Sequence, residues 1–144
     1  MTTLPPIPPS CPAGQDPEME LIADPRLQQA ISLFNQGQWY ACHDGFEELW
    51  HETAGPLRSV LQGLLQIAVA HLHLERGNGR GATVLLGEGL GRLRGSDPTA
   101  LGLDLARVQQ LTRDRLQALQ AGLPVETLPL PRLDPAVSSE ARPL

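Results

Sequence analysis

Lysine is absent from this 144-residue sequence, and all eleven basic residues are arginine. That excludes Schiff-base chemistry and the lysine of a phosphate-binding P-loop. Only two cysteines occur, Cys11 and Cys42, so neither a disulfide framework nor a CxxC zinc pair is available. The net charge is −5 and no basic stripe appears, which argues against nucleic acid as a partner. Long apolar runs are missing too. The best one, within Val60–Leu74, is interrupted by Gln62, Gln66, His71 and His73, and is too polar and too short to span a bilayer. The N-terminus lacks a basic segment followed by an apolar one, so no secretory signal is visible and a cytoplasmic location is expected. Nor does any segment alternate with period two over strand length, which leaves an all-α fold.

Proline is plentiful but unevenly spread. Eleven of the fourteen fall in residues 1–23 and 123–144, and these two Pro-rich tails are expected to be disordered. Short P-P-I-P-P (Pro5–Pro9) and P-L-P-R (Pro129–Arg132) runs are weak candidates for polyproline recognition. The expected folding unit is residues 24–122, one compact bundle of about five helices. Pro25, Pro56 and Pro98 each follow a residue suited to a helix start, where a missing N–H costs nothing. Apolar spacing places helices over about 25–36, 39–53, 56–76, 80–94 and 103–121. The third is apolar nearly all round and is expected to be central.

The second predicted helix holds both tryptophans, the only tyrosine and two of the four histidines, in W-Y-A-C-H-D-G-F-E-E-L-W-H (Trp39–His51). On a helical wheel with His43 at zero, Trp39, Cys42, Phe46, Leu49, Trp50 and Thr53 share an arc of about 100° that should face the core. His43 and Glu47 lie at its rim, with Asp44, Glu48 and His51 further round, at about +80° to +140°. The third helix carries a polar line, Arg58, Gln62 and Gln66 at four-residue spacing, with His73 near the same meridian. Unpaired burial of such groups costs a few kcal/mol, so they need partners, and His43 with Glu47 are the nearest candidates. An Arg58–Glu47 contact is the specific expectation.

Two readings of this edge follow. The favoured one is a satisfied polar network of His43, Glu47, Trp50, Arg58, Gln62, Gln66 and His73 that fixes helix register, in a protein that is structural or serves partner binding. It predicts that His43→Ala and Glu47→Gln each cost about 1–3 kcal/mol. Partners would be a second copy or another protein. The alternative is a metal- or small-ligand-binding domain, with a divalent metal on His43, Glu47 and His73 suited to hydrolysis. The pattern H-D-G-F-E is not the zincin H-E-x-x-H, however. Asp44, Glu48 and His51 form a secondary exposed set, read as a solvated face. Cys42 points into the core arc and reads as a small hydrophobe. His71 has no partner that the pattern names. The glycines of G-N-G-R-G (Gly77–Gly81) and G-E-G-L-G (Gly87–Gly91) fail the dinucleotide context, since no strand precedes them; close helix approach explains the second group better.

F-N-Q-G-Q-W-Y-A-C-H-D-G-F-E-E-L-W, then R-S-V-L-Q-G-L-L-Q-I-A-V-A-H-L-H, then G-N-G-R-G-A, resemble the domain-of-unknown-function family DUF309, in its cyanobacterial and plastid form. The likeness covers about residues 27–93. The family's second helix carries E-A-H-E-x-x-E-E-x-W; here His43, Glu47, Glu48 and Trp50 match, while Ala41 and Asp44 replace glutamates. The resemblance implies a compact helical fold and no established activity. The two replacements leave fewer carboxylates for a metal than relatives have, one of them shorter by a methylene.

Overall fold

A computed structural model describes residues 16–137. It contains six α-helices: α1 (Pro17–Ala23), α2 (Pro25–Asn35), α3 (Trp39–Glu52), α4 (Pro56–Glu75), α5 (Gly79–Arg94) and α6 (Leu105–Gln120), with one 3-10 turn at Ala100–Gly102. The all-α expectation holds among the described residues, which include no strand beyond a single bridge between Leu103 and Pro135.

Side-chain caps set most of the helix starts. Asp16 accepts a hydrogen bond from the Met19 N–H at 2.8 Å, Asp24 from Arg26 N–H at 2.8 Å, Asn78 from Gly81 N–H at 3.0 Å and Asp104 from Arg107 N–H at 3.1 Å. Each satisfies a donor that the first helical turn leaves orphaned. Pro17, Pro25 and Pro56 stand at first helical positions. The turn between α3 and α4 needs Gly55, whose φ of +77° would strain any side-chain-bearing residue.

The core forms where α4 packs against both α3 and α5. Leu61, Leu64, Ile67 and Ala68 of α4 are fully buried, with Phe46 and Leu49 of α3 and Leu86 and Leu93 of α5. Phe34 of α2 meets Trp39 edge-on at 5.2 Å between centroids and Phe46 at 6.4 Å. The central position expected of α4 follows from its sequence, because an apolar surface this wide is stable only when enclosed. The α4–α5 crossing depends on Gly63 and Gly89. A Cβ at Gly89 would stand 2.9 Å from the Gly63 carbonyl oxygen and 2.9 Å from the Ile67 side chain. Close approach therefore accounts for Gly89; Gly87 and Gly91 face open space.

The ordered unit is wider than the expected 24–122. Residues 17–23 are α1, not an extended tail, and Leu21 is buried. The Glu18 carboxylate accepts the Leu101 N–H at 2.7 Å, holding a residue whose φ is +60°. At the other end, residues 123–137 form a strap over the bundle. Its Val125 and Leu133 are buried, and Asn35 clamps Leu133 by donating to its carbonyl at 2.9 Å and accepting its N–H at 2.7 Å. Proline and polar content suggested disorder there. Two well-placed apolar side chains and a doubly bonded asparagine outweigh the ordering entropy instead. Residues 1–15 and 138–144, with Cys11 and Pro5–Pro9, lie outside the described residues.

Candidate functional site

The α3 wheel translates directly into burial. Trp39, Cys42, Phe46 and Leu49 are buried, His43, Glu47 and Trp50 are half-buried, and Asp44, Glu48 and His51 are exposed. The Cys42 thiol donates to the Trp39 carbonyl at 3.4 Å, and burial pushes its pKa up to about 12. It is a protonated core residue with no thiolate character at neutral pH.

The polar line on α4 meets the α3 edge only in part, through Arg58 and Trp50. Arg58 is not paired with Glu47. Its guanidinium carbon lies 3.9 Å from the centroid of the Trp50 ring, and its Nη1 donates to the Thr53 carbonyl at 3.4 Å. Gln66 turns toward α5, donating to Glu88 at 3.1 Å and accepting from Arg92 at 3.2 Å. His73 pairs with Asn78 in the α4–α5 turn, at 3.0 Å. Gln62 is half-buried without a hydrogen bond among the described residues. One continuous network is thus replaced by local pairs. The physical reason is that α4 has two neighbours, and a position on a wheel does not say which of them a side chain will meet.

On α3, His43, Asp44 and Glu47 converge. One ligand-capable atom from each lies within 4.8 Å of the others, and His43 Nδ1 is 3.2 Å from an Asp44 carboxylate oxygen. His43 and Glu47 are one helical turn apart and Asp44 adjoins His43, so the backbone alone brings them together. His73, expected as the third ligand, is replaced in this cluster by Asp44, a residue that the helical wheel places on the solvated face. An imidazole and two carboxylates are a donor set suited to first-row divalent cations.

The rest of the exposed set goes elsewhere. Glu48 belongs to an ion cluster in which Arg26 meets Asp24 at 2.9 Å, Glu48 at 2.8 Å and Glu52 at 2.8 Å. The hydrogen bond from Arg26 holds the Asp24 and Glu52 carboxyls below their ordinary range. His51 packs edge-on to Trp50, with ring centroids 4.9 Å apart.

A family model described as "Domain of unknown function (DUF309)" matches residues 27–85. That stretch runs from the start of α2 into α5 and contains the whole His43–Asp44–Glu47 cluster. The match supports the resemblance carried by the α3 and α4 motifs and brings no reaction with it. No curated protein matches the chain.

Proposed function

We propose that this protein is a small helical binding module whose site is the α3 edge at His43, Asp44 and Glu47, and that its ligand there is a divalent cation. The observation that carries the reading is the convergence of three donor atoms within 4.8 Å on an edge open to solvent. Donors from one side of an ion leave coordination positions for water, a substrate or a partner's side chain. A cation so held supplies Lewis acidity, and metal-dependent hydrolysis is the reaction class that this supports. A cytoplasmic location and kinship with the cyanobacterial and plastid form of DUF309 belong to the same reading.

Calorimetric titration of the chelator-treated protein with Zn²⁺, Mn²⁺ and Fe²⁺ tests it. Saturable binding of one ion per chain, lost in His43→Ala and in Glu47→Gln, is the expected result. Absence of binding, together with no shift in melting temperature by any ion, overturns it.

A second reading is favoured by the aromatic surface beside the cluster. Tyr40 is 62% exposed and its ring stands 6.4 Å from that of His43. Tyrosine, tryptophan and arginine are the residues that anchor protein interfaces, and the Trp50–Arg58 stack is on the same helix pair. On this reading a second copy or another protein covers the edge, without nucleic acid or membrane. Sedimentation of the wild type and Tyr40→Ala over a wide concentration range decides it; a monomer throughout, with no copurifying partner, sinks it.

A further inference from the structure

A second polar cluster lies away from α3's exposed edge, under the strap. His71 of α4 and Arg115 of α6 are 2% and 5% exposed, and each retains a nitrogen, His71 Nε2 and Arg115 Nε, that is sealed from solvent and has no hydrogen-bond partner among the described residues. Buried polar atoms are almost always satisfied, so two orphans at one place call for an explanation. Both residues line a cleft of about 270 Å³, together with Trp39, Leu74, Glu75 and Glu126.

The protonation pattern of the cleft can be worked out. His71 Nδ1 is 2.8 Å from the Ile67 carbonyl oxygen, which only accepts, so Nδ1 carries the proton and Nε2 presents a lone pair. Burial, aided by the Arg115 charge, pushes the His71 pKa down to about 4, so the ring stays neutral at physiological pH. Arg115 donates through Nη1 to the strap carbonyls of Val125, Leu128 and Pro129, at 3.3, 2.8 and 3.4 Å. None of the ion pairs among the described residues includes it. Carbonyls solvate a guanidinium but do not neutralise it. Glu75 and Glu126 are exposed, and the negative charge of Glu126 reaches Arg115.

Three chemistries therefore meet at one cleft: a cation without an ion-pair partner, an unpaired imidazole nitrogen just beneath the surface with two rim carboxylates, and an apolar wall of Trp39 and Leu74. Their complement is a molecule with an anionic group, a charged donor close to it and an apolar side chain. We propose that this cleft binds a small α-amino acid with an aliphatic side chain, or a molecule built like one. Its carboxylate meets Arg115. Its ammonium faces the glutamates and, on binding, takes up His71 Nε2, which is sealed from solvent in this structure, as an acceptor; its side chain lies along Trp39 and Leu74. This site shares no residue with the α3 cluster, and its fate is independent of the metal reading.

L-Leucine titrated into the full-length, ¹⁵N-labelled protein is the test, read by long-range ¹H–¹⁵N spectra of the His71 ring and by the Trp39 indole N–H. The expected result is a saturable shift of Nε2 toward that of a hydrogen-bond acceptor, with a midpoint on the order of 1 mM or below. 4-Methylpentanoate, which lacks the ammonium, and 3-methylbutylamine, which lacks the carboxylate, should each bind at least about tenfold more weakly, a difference of ~1.4 kcal/mol. Glu126→Gln, at an exposed position, should weaken leucine several-fold and leave 4-methylpentanoate unimpaired. The proposal is overturned if leucine at ~10 mM leaves Nε2 unmoved, the result expected where a buried water satisfies these atoms. It is equally overturned if 4-methylpentanoate or 3-methylbutylamine binds as tightly as leucine. Folded Arg115→Gln that still binds leucine with wild-type affinity also overturns it; should that variant not fold, the Glu126→Gln comparison decides.

Discussion

The Trp39 indole and the His71 imidazole stack with centroids 4.7 Å apart and planes 27° from parallel. This contact joins the start of α3 to the C-terminal part of α4 and removes His71 from water. A histidine whose pKa falls from 6.5 to about 4 on folding binds its proton more readily in the unfolded chain. Acid therefore favours unfolding. The stabilising contribution is complete above the unfolded value of 6.5, declines as pH drops through the window from 6.5 to 4, and is exhausted below it. The loss amounts to about 3 kcal/mol across that window. Urea denaturation at closely spaced pH values should show this slope, and His71→Gln should flatten it. A wild type equally stable at both ends of the window would contradict the assignment.

How much of this was legible beforehand depends on what each residue touches. Helix spans and the inward arc of α3 are local properties of spacing, and burial of Trp39, Cys42, Phe46 and Leu49 follows them. Partner choice is not local. Arg58, Gln66 and His73 share a line on α4 yet meet α3, α5 and the following turn respectively. Asp44 is exposed, as its place on the wheel predicts, yet its neighbour His43 draws it into the cluster. The strap is not legible in composition, which averages over residues 123–137, whereas its order comes from Val125, Leu133 and a distant asparagine. Arg115 did leave a signal. It falls four residues after Leu111 and seven after Val108, on the apolar stripe of α6, where a charge is out of place.

Without a buried network, His43 and Glu47 carry little of the stability. His43→Ala and Glu47→Gln should each change the unfolding free energy by no more than about 0.5 kcal/mol, since the one contact severed, His43 with its exposed neighbour Asp44, leaves no buried group unpaired. Denaturant titration in chelator measures this directly. A cost of about 1–3 kcal/mol for both would restore the network reading and remove the argument that these side chains are free to hold a ligand.

Glycine substitutions in α5 separate packing from propensity. Gly89→Ala places a methyl group against the Gly63 carbonyl and Ile67, both at 2.9 Å, and α4 and α5 must move apart to admit it. Overpacking of this kind costs about 1–3 kcal/mol. Gly87→Ala meets nothing within 4 Å and should stabilise the helix by about 0.5–1 kcal/mol. Melting temperatures should accordingly move in opposite directions. Equal shifts of either sign would show that the crossing is not held by close contact at Gly89.

The strap offers the sharpest test of where the folded unit ends. Asn35 makes both of its hydrogen bonds to the Leu133 backbone, 98 residues away in sequence. Asn35→Ala removes the two bonds and leaves a partly buried peptide group unpaired, at a cost of about 1–3 kcal/mol. Asn35→Asp keeps the acceptor for the Leu133 N–H but sets an anionic oxygen against the Leu133 carbonyl, so it should cost at least as much as alanine. Amide exchange gives an independent reading, because the Leu133 N–H is protected only while the strap is docked. In Asn35→Ala its protection should drop toward that of an open loop, while amides at the centre of α4 change only as far as global stability does. Wild-type protection at Leu133 in the alanine variant would mean that Leu133 packing alone holds the strap, and that the asparagine clamp contributes nothing to it.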